Sequence, residues 1–164
     1  MRCICPLLIY RFLFAYLWLH ASTGFAWQGV VTRVSDGDTL WVQPLSRHKA
    51  VKIRILGVDA PEICQVWGEQ SLRALYALTM GRDVQVQGSH ADAYGRLLAH
   101  IFVQGHDVGA WMVLHGHAWS YAFKSHHGLY DAEQMAAQSM QAGLFGDSNA
   151  MEPRFFRRRF GACP

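Results

Sequence analysis

From Gln28 onward, apolar and polar residues alternate with a period of two, and turn residues punctuate the runs. Gln28–Val34 and Thr39–Val42 are short β-branched and aromatic stretches separated by Ser35-Asp36-Gly37-Asp38. Asp-Gly between two such stretches predicts a hairpin. Ala50–Leu56 sets Val51, Ile53 and Ile55 against Lys52 and Arg54, which buries one face and leaves Arg54 on the other, and Pro61 stops the strand. The period then changes. Trp67–Met80 predicts a helix with Leu72, Leu75, Tyr76 and Thr79 facing inward, Glu69 in the first turn and Gly81 as the C-terminal cap. A strand over Asp83–Gln87, a polar loop over Gly88–Gly95 and a strand over Leu97–Val103 come next. After the turn Gln104-Gly105-His106, Asp107 caps a short helix that runs through His115 and ends at Gly116. A last helix is expected over Gly128–Ala142, with Met135, Ala136, Ser139 and Met140 inward and Leu144 and Phe145 docked on its end.

This order of elements is not a βαβ alternation, which argues against a doubly wound sheet. Five short strands with an intervening helix fit an α+β fold, a five-stranded Greek-key barrel of the OB type with about three helices. Barrels of this kind bind nucleic acids or sugar chains on one face.

The ends of the chain differ from its body. Met1–Arg11 carries Arg2 and Arg11 and no acidic residue, Phe12–Leu19 is wholly apolar, and Gly24-Phe25-Ala26 puts small residues at −3 and −1 of a cleavage site. That pattern predicts a secretory signal peptide over residues 1–26, an exported protein in the periplasm or outside the cell, and no stable membrane association after cleavage. The apolar run is short of the roughly 20 residues that span a bilayer. An uncleaved anchor is the alternative. Residues 27–147 then form the folded domain and residues 148–164 a basic, aromatic tail.

A chain of 164 residues with 51% hydrophobic content builds one real core, which excludes disorder and low complexity. From Trp27 on, thirteen basic residues face twelve acidic ones; Met151–Pro164 holds four of the arginines and one acid, so the body before it is slightly acidic. Attraction for polyanions must therefore come from the tail or from a local cluster. Cys3 and Cys5 belong to the leader. Cys64 and Cys163 remain, and the sequence leaves a disulfide and two free thiols equally open.

Three segments carry the chemistry: Asp36-Gly37-Asp38-Thr39, Arg54 through Glu62 (RILGVDAPE) and Asp92-Ala93-Tyr94-Gly95-Arg96. Carboxylates hold hard divalent cations, a further carboxylate manages a water, and arginines clamp phosphate oxygens. Asp36 reads as turn chemistry. Eight histidines follow the leader, His126-His127 among them, but no His-x₃-His or Cys-x₂-Cys spacing supports zinc.

In the motifs VSDGDTLWV, VKIRILGVDAPE, GEQSLRAL, DAYGRLLAHIF and Gly143-Leu144-Phe145, the chain resembles the staphylococcal (thermonuclease, micrococcal) nuclease family over roughly Gln28–Asp147. The resemblance implies an OB-fold, calcium-dependent phosphodiesterase that cuts DNA and RNA; single strands are the expected preference, and no protein partner is implied. It implies Ca²⁺ on Asp38, Asp59 and the backbone carbonyl of Ala60. It makes Glu62 the catalytic glutamate, either taking a proton from water or orienting it. Arg54 and Arg96 become the phosphate-clamping arginines and Tyr94 a phosphate contact. Ala93 stands where the best-known pattern has a substrate-contacting lysine. Of the aromatics Trp119, Tyr121 and Phe123, Tyr121 is the one expected to stack on a nucleobase, with core packing the equal alternative for each. The tail Arg154-Phe155-Phe156-Arg157-Arg158-Arg159-Phe160 reads either as a grip on single strands or as a strap across the body. A Cys64–Cys163 bond would bring its arginines near the cleft. The alternative function is a catalytically inactive OB-fold single-stranded nucleic-acid-binding protein.

Overall fold

A computed structural model of the chain describes residues 25–122, 127–161 and 163. Most of the expected leader, together with Phe123 and His126, lies outside these residues.

The alternation read from the sequence closes into a barrel. Strand β1 (Phe25–Val34) begins two residues before the expected cleavage point and pairs antiparallel with β2 (Thr39–Pro44) through the Asp36-Gly37 turn. β2 pairs antiparallel with β3 (Val51–Ile55). On its other edge β1 pairs with β5 (Asp83–Ala91), and β5 pairs with β6 (Leu97–Val103). A parallel pairing of β3 with β6 closes the ring, so none of the five strands keeps a free edge along its whole length. The inward positions Leu40 and Val42, Ile53 and Ile55, Val84 and Val86, and Ala99, Ile101 and Val103 follow the period of two and form one core. Burying each such side chain is worth about 1.5–3 kcal/mol.

Two short strands, β4 (Val58–Asp59) and β8 (Trp119–Ser120), pair with each other beside the barrel, and β7 (His106–Asp107) turns back to pair antiparallel with the end of β6. Helix α1 (Gly68–Thr79) contributes Leu75 to the core, and α2 (Val108–Leu114) contributes Val108, Met112 and Val113. Asp107 caps α2 as expected, accepting a hydrogen bond from the Ala110 amide at 3.1 Å. Helix α3 (Asp131–Ser139) packs against α2, and a 3₁₀ turn over Gly143–Gly146 buries Leu144.

Several expectations are corrected. β5 runs on to Ala91 through a register shift between Gly88 and His90, so the loop expected from Gly88 is short. On α1 the buried residues are Gly68, Ser71, Leu75 and Thr79, while Tyr76 is exposed. α3 is shorter than expected and buries Ala137; Met135 and Met140 are exposed. Ala137 makes the buried contact there, Ala136 is half-buried, and Met135, Ser139 and Met140 lie on the outer face. The tail also holds a fourth helix, α4 (Pro153–Phe160), with Pro153 at its first turn.

Candidate active site

Strand register assembles the first half of the site. Thr39 pairs with Arg54 across β2 and β3, which brings Arg54 beside Asp38, and the Ile55 amide fixes the Asp38 carbonyl at 2.8 Å. Asp59 is delivered by β4, which Trp119 pairs in β8. The Arg54 guanidinium bridges the two acids, with Nη1 at 2.8 Å from Asp38 Oδ2 and Nη2 at 3.0 Å from Asp59 Oδ1. Asp38 also accepts from the Thr39 hydroxyl at 2.9 Å and the Ala60 amide at 3.3 Å. Both carboxylates are almost fully buried, at 4% and 3% exposure.

The second half is a folded loop. A Cβ at Gly37 would come within 2.7 Å of the Ala60 and Ser71 side chains, so only glycine lets the Asp38 turn press onto Ala60. The Gln65 amide donates to the Glu62 carbonyl at 2.8 Å, the Gly68 amide to the Gln65 carbonyl at 2.9 Å, and the Gln65 side chain accepts from the Glu62 amide at 3.2 Å. A Cβ on Gly68 would lie 2.0 Å from the Glu62 carbonyl oxygen. Trp67, between Gln65 and Gly68, takes a left-handed φ of 71°, a strained conformation for a bulky residue that the surrounding contacts must hold. The Trp67 indole N–H donates to His117 Nδ1 at 3.4 Å and the two rings stack.

Arg157, which the sequence brought near the cleft only on the alternative of a Cys64–Cys163 bond, lies at the centre of the site. Arg157 of α4 donates from Nη1 to Glu62 Oε1 at 2.7 Å and from Nη2 to Asp59 Oδ2 at 3.2 Å. It is carried there by a disulfide between Cys64 and Cys163 and by the Gln65 side-chain amide, which donates to the Met151 carbonyl. The signal for it was the Cys64–Cys163 pair, which brings the arginine-rich tail two residues from Glu62.

The charges are tightly coupled. Burial works against the charge on Arg54, but Asp38 and Asp59 outweigh it and raise its pKa. Burial likewise opposes the Arg157 charge, and hydrogen bonds to Glu62 and Asp59 raise its pKa in turn. Asp59 is raised by burial, opposed by Arg157 and Arg54. Asp36 accepts from the Asp38 amide at 3.0 Å, which is the turn role expected of it, and burial followed by the charge of Asp38 pushes its carboxyl up to about 7.

Arg96 and Tyr94 stand apart from this cluster. Arg96 is engaged by Asp92 at 2.8 Å, and its guanidinium lies over the Tyr94 ring, which is 85% exposed. Among the described residues, no hydrogen bond or ion pair joins Arg96 to Asp38, Asp59 or Glu62. Its backbone is close nonetheless, two residues ahead of Leu98, the register partner of Arg54. Asp92 itself, despite some desolvation, is held below the usual carboxylate range by the Arg96 and Tyr94 amides and the Arg96 side chain. Tyr121 lines a cavity of about 310 Å³ that opens beside Asp59, with Ser120, Asp131, Gln134 and Arg154 among its other walls. Trp119 is half-buried, packs edge-on against Phe145 at 4.7 Å and lines the same cavity; its indole N–H is buried and has no partner among the described residues.

The donor set suits a hard cation. Two buried carboxylates and the neighbouring Ala60 backbone are all-oxygen ligands, and a guanidinium already fills a cationic position on Asp59 and Glu62. Among the described residues no group of three or more His, Cys, Asp or Glu side chains is arranged to hold a metal, so an ion would also draw on water.

A small closed barrel carrying acids, a bridging arginine and an adjacent cleft defines a class of phosphate-handling OB proteins. Residues 52–147 match the family described as staphylococcal nuclease homologue, and the chain belongs to that family. It is 34% identical over 160 residues to an Escherichia coli protein named "Uncharacterized endonuclease", covering 97% of this chain and 99% of that one. A Haemophilus influenzae protein of the same name is 36% identical over 129 residues, covering 79% and 72%. A Shigella flexneri "Micrococcal nuclease" is 33% identical over 143 residues, covering 80% of each. The protein is a nuclease, a hydrolase of nucleic acids, of a family that is generally metal-dependent.

Proposed function

We propose that this protein is an exported, calcium-dependent nuclease that hydrolyses phosphodiester bonds of DNA, RNA or both, preferring single strands. The observation that carries this reading is the buried Asp38–Arg54–Asp59 cluster with Glu62 beside it. Asp38, Asp59 and the Ala60 carbonyl would hold Ca²⁺, which when bound would neutralise charge on the phosphate. Glu62 orients a water or takes its proton as the oxygen attacks phosphorus, and the bond to the leaving oxygen breaks. Arg54 faces the equatorial oxygens. Arg96 reaches the phosphate or leaving oxygen after parting from Asp92, with which it forms a half-buried ion pair, side chains 20% and 16% exposed. Tyr94 contacts a phosphate and Tyr121 a base; the exposure of one and the cleft position of the other support these roles. The Cys64–Cys163 bond supports export, since disulfides persist in oxidising compartments.

Digestion of single-stranded DNA in Ca²⁺ or EGTA tests the reading, with the wild type beside Glu62→Gln and Arg54→Ala. Cutting should require Ca²⁺, and each variant should lose a factor of about 10² or more in rate. Tight binding without cutting would instead establish the inactive single-strand-binding alternative, and calcium-independent cutting would remove the metal assignment.

A further inference from the structure

Arg157 touches both oxygens of Asp59 and one of Glu62, at 2.7 to 3.3 Å. Those are the atoms assigned above to the cation and to the water. Asp59 already carries two guanidiniums, Arg54 and Arg157 on Oδ1 and Arg157 on Oδ2, so a dication arriving there competes with a resident arginine for the same oxygens. Three carboxylates, Asp38, Asp59 and Glu62, already face two arginines, so a dication makes one arginine surplus. Arg54 is wedged in β3 between both aspartates, with a side chain 19% exposed. The Arg157 side chain is 37% exposed and rides on an eight-residue helix. Arg157 is the one that can leave.

What keeps it in place is the tether. Helices this short are marginal on their own, and half-exposed ion pairs contribute little individually. The Cys64–Cys163 bond closes behind α4, and Gln65 holds Met151 ahead of it, so the helix is fixed on both sides against the Glu62 loop. A group fixed in this way acts at an effective concentration in the millimolar range.

We propose that Arg157, tethered by the disulfide, is a resident competitor for the divalent cation: it occupies Asp59 and Glu62 until the ion displaces it together with α4. The proposal rests on the calcium reading above. Its consequence is a nuclease whose cation demand is set by its own C-terminal helix and is relaxed when the disulfide is absent.

Calorimetric titration with CaCl₂ tests it on the wild type, Arg157→Gln, a Cys64→Ser/Cys163→Ser pair and the combination. Arg157→Gln should bind Ca²⁺ about fivefold more tightly, consistent with loss of a partly exposed ion-pair network. The serine pair, which keeps every charge, should tighten binding as well, and the combination should be no tighter than Arg157→Gln alone. Arg158→Gln removes an equal charge from an exposed neighbour on α4 and should bind as the wild type does. Hydrogen exchange adds a readout independent of activity and of the substitutions: in the wild type, Ca²⁺ should accelerate exchange of α4 amides. The proposal is overturned by wild-type affinity in either Arg157→Gln or the serine pair, by equal tightening in Arg158→Gln, or by unchanged exchange in α4. If none of the proteins binds Ca²⁺, the calcium reading falls and takes this proposal with it.

Discussion

Arg54 is the residue on which the site's electrostatics turn, because it is the shared counter-ion of two buried acids. Without it, Asp38 and Asp59 would face each other with Arg157 as the remaining partner of one of them. Breaking a buried ion pair from one side costs about 3–5 kcal/mol, so Arg54→Ala in EGTA should lower unfolding stability by that order, measured by urea denaturation. Arg54→Lys should recover little, since a single ammonium cannot span both carboxylates. Asp107 offers a pH test away from the chemistry. Burial would raise its carboxyl, but His100, the Ala110 amide and the Tyr130 hydroxyl overcome that and lower it. Tyr130 donates at 3.0 Å, and burial followed by this carboxylate pushes the Tyr130 phenol well above its ordinary value. A carboxyl with a lower pKa folded than unfolded stabilises fully above its unfolded value, about 3.9, and loses that contribution as pH falls through the folded value. Asp107→Asn should therefore cost about 1.5–3 kcal/mol at pH 7 and progressively less as pH falls below about 4, again by urea denaturation.

At the scale of elements, the site depends on how strands and one loop meet. The β2–β3 register places Arg54 beside Asp38, and the loop before α1 folds back so that Glu62 faces Asp59. Gly68 is the point of closest approach. Gly68→Ala would drive a Cβ into backbone rather than into a movable side chain, so it should displace the Glu62 loop. The expected result is a loss of about 1–3 kcal/mol in stability with a fall in nuclease rate larger than that loss explains. Thermal denaturation beside single-stranded DNA digestion checks both. The elements that sequence periodicity located well were those whose alternation is enforced by burial, such as Leu40/Val42 and Ile53/Ile55. It failed where that link is loose. Met135 and Met140 are apolar yet exposed, and β5 continues past Gln87 because pairing with β6, rather than side-chain pattern, sustains it.

For the whole molecule, the link that matters is the one between residues 64 and 163. It closes a loop of about 100 residues, and the chain-entropy model assigns such a loop up to about 4.7 kcal/mol, with measured values commonly about 2–4. The serine pair should lose stability on that order but stay folded, because the barrel core contains neither cysteine. Urea denaturation with a circular dichroism signal reports both. By itself the sequence pointed to a five-stranded barrel, through the period of two in its strands, and it marked Asp38, Arg54, Asp59 and Glu62 through motifs that resemble those of the staphylococcal nuclease family. It also supplied the two cysteines and the arginines of the tail. Only the tertiary structure decided that α4 forms and that Arg157 lies on Asp59 and Glu62, while Arg96 is engaged by Asp92. The physical reason is distance along the chain. Pairing Arg157 with Asp59 joins residues 98 positions apart, and neither periodicity nor spacing encodes a contact that exists only once the barrel has closed and the disulfide has drawn the tail across it.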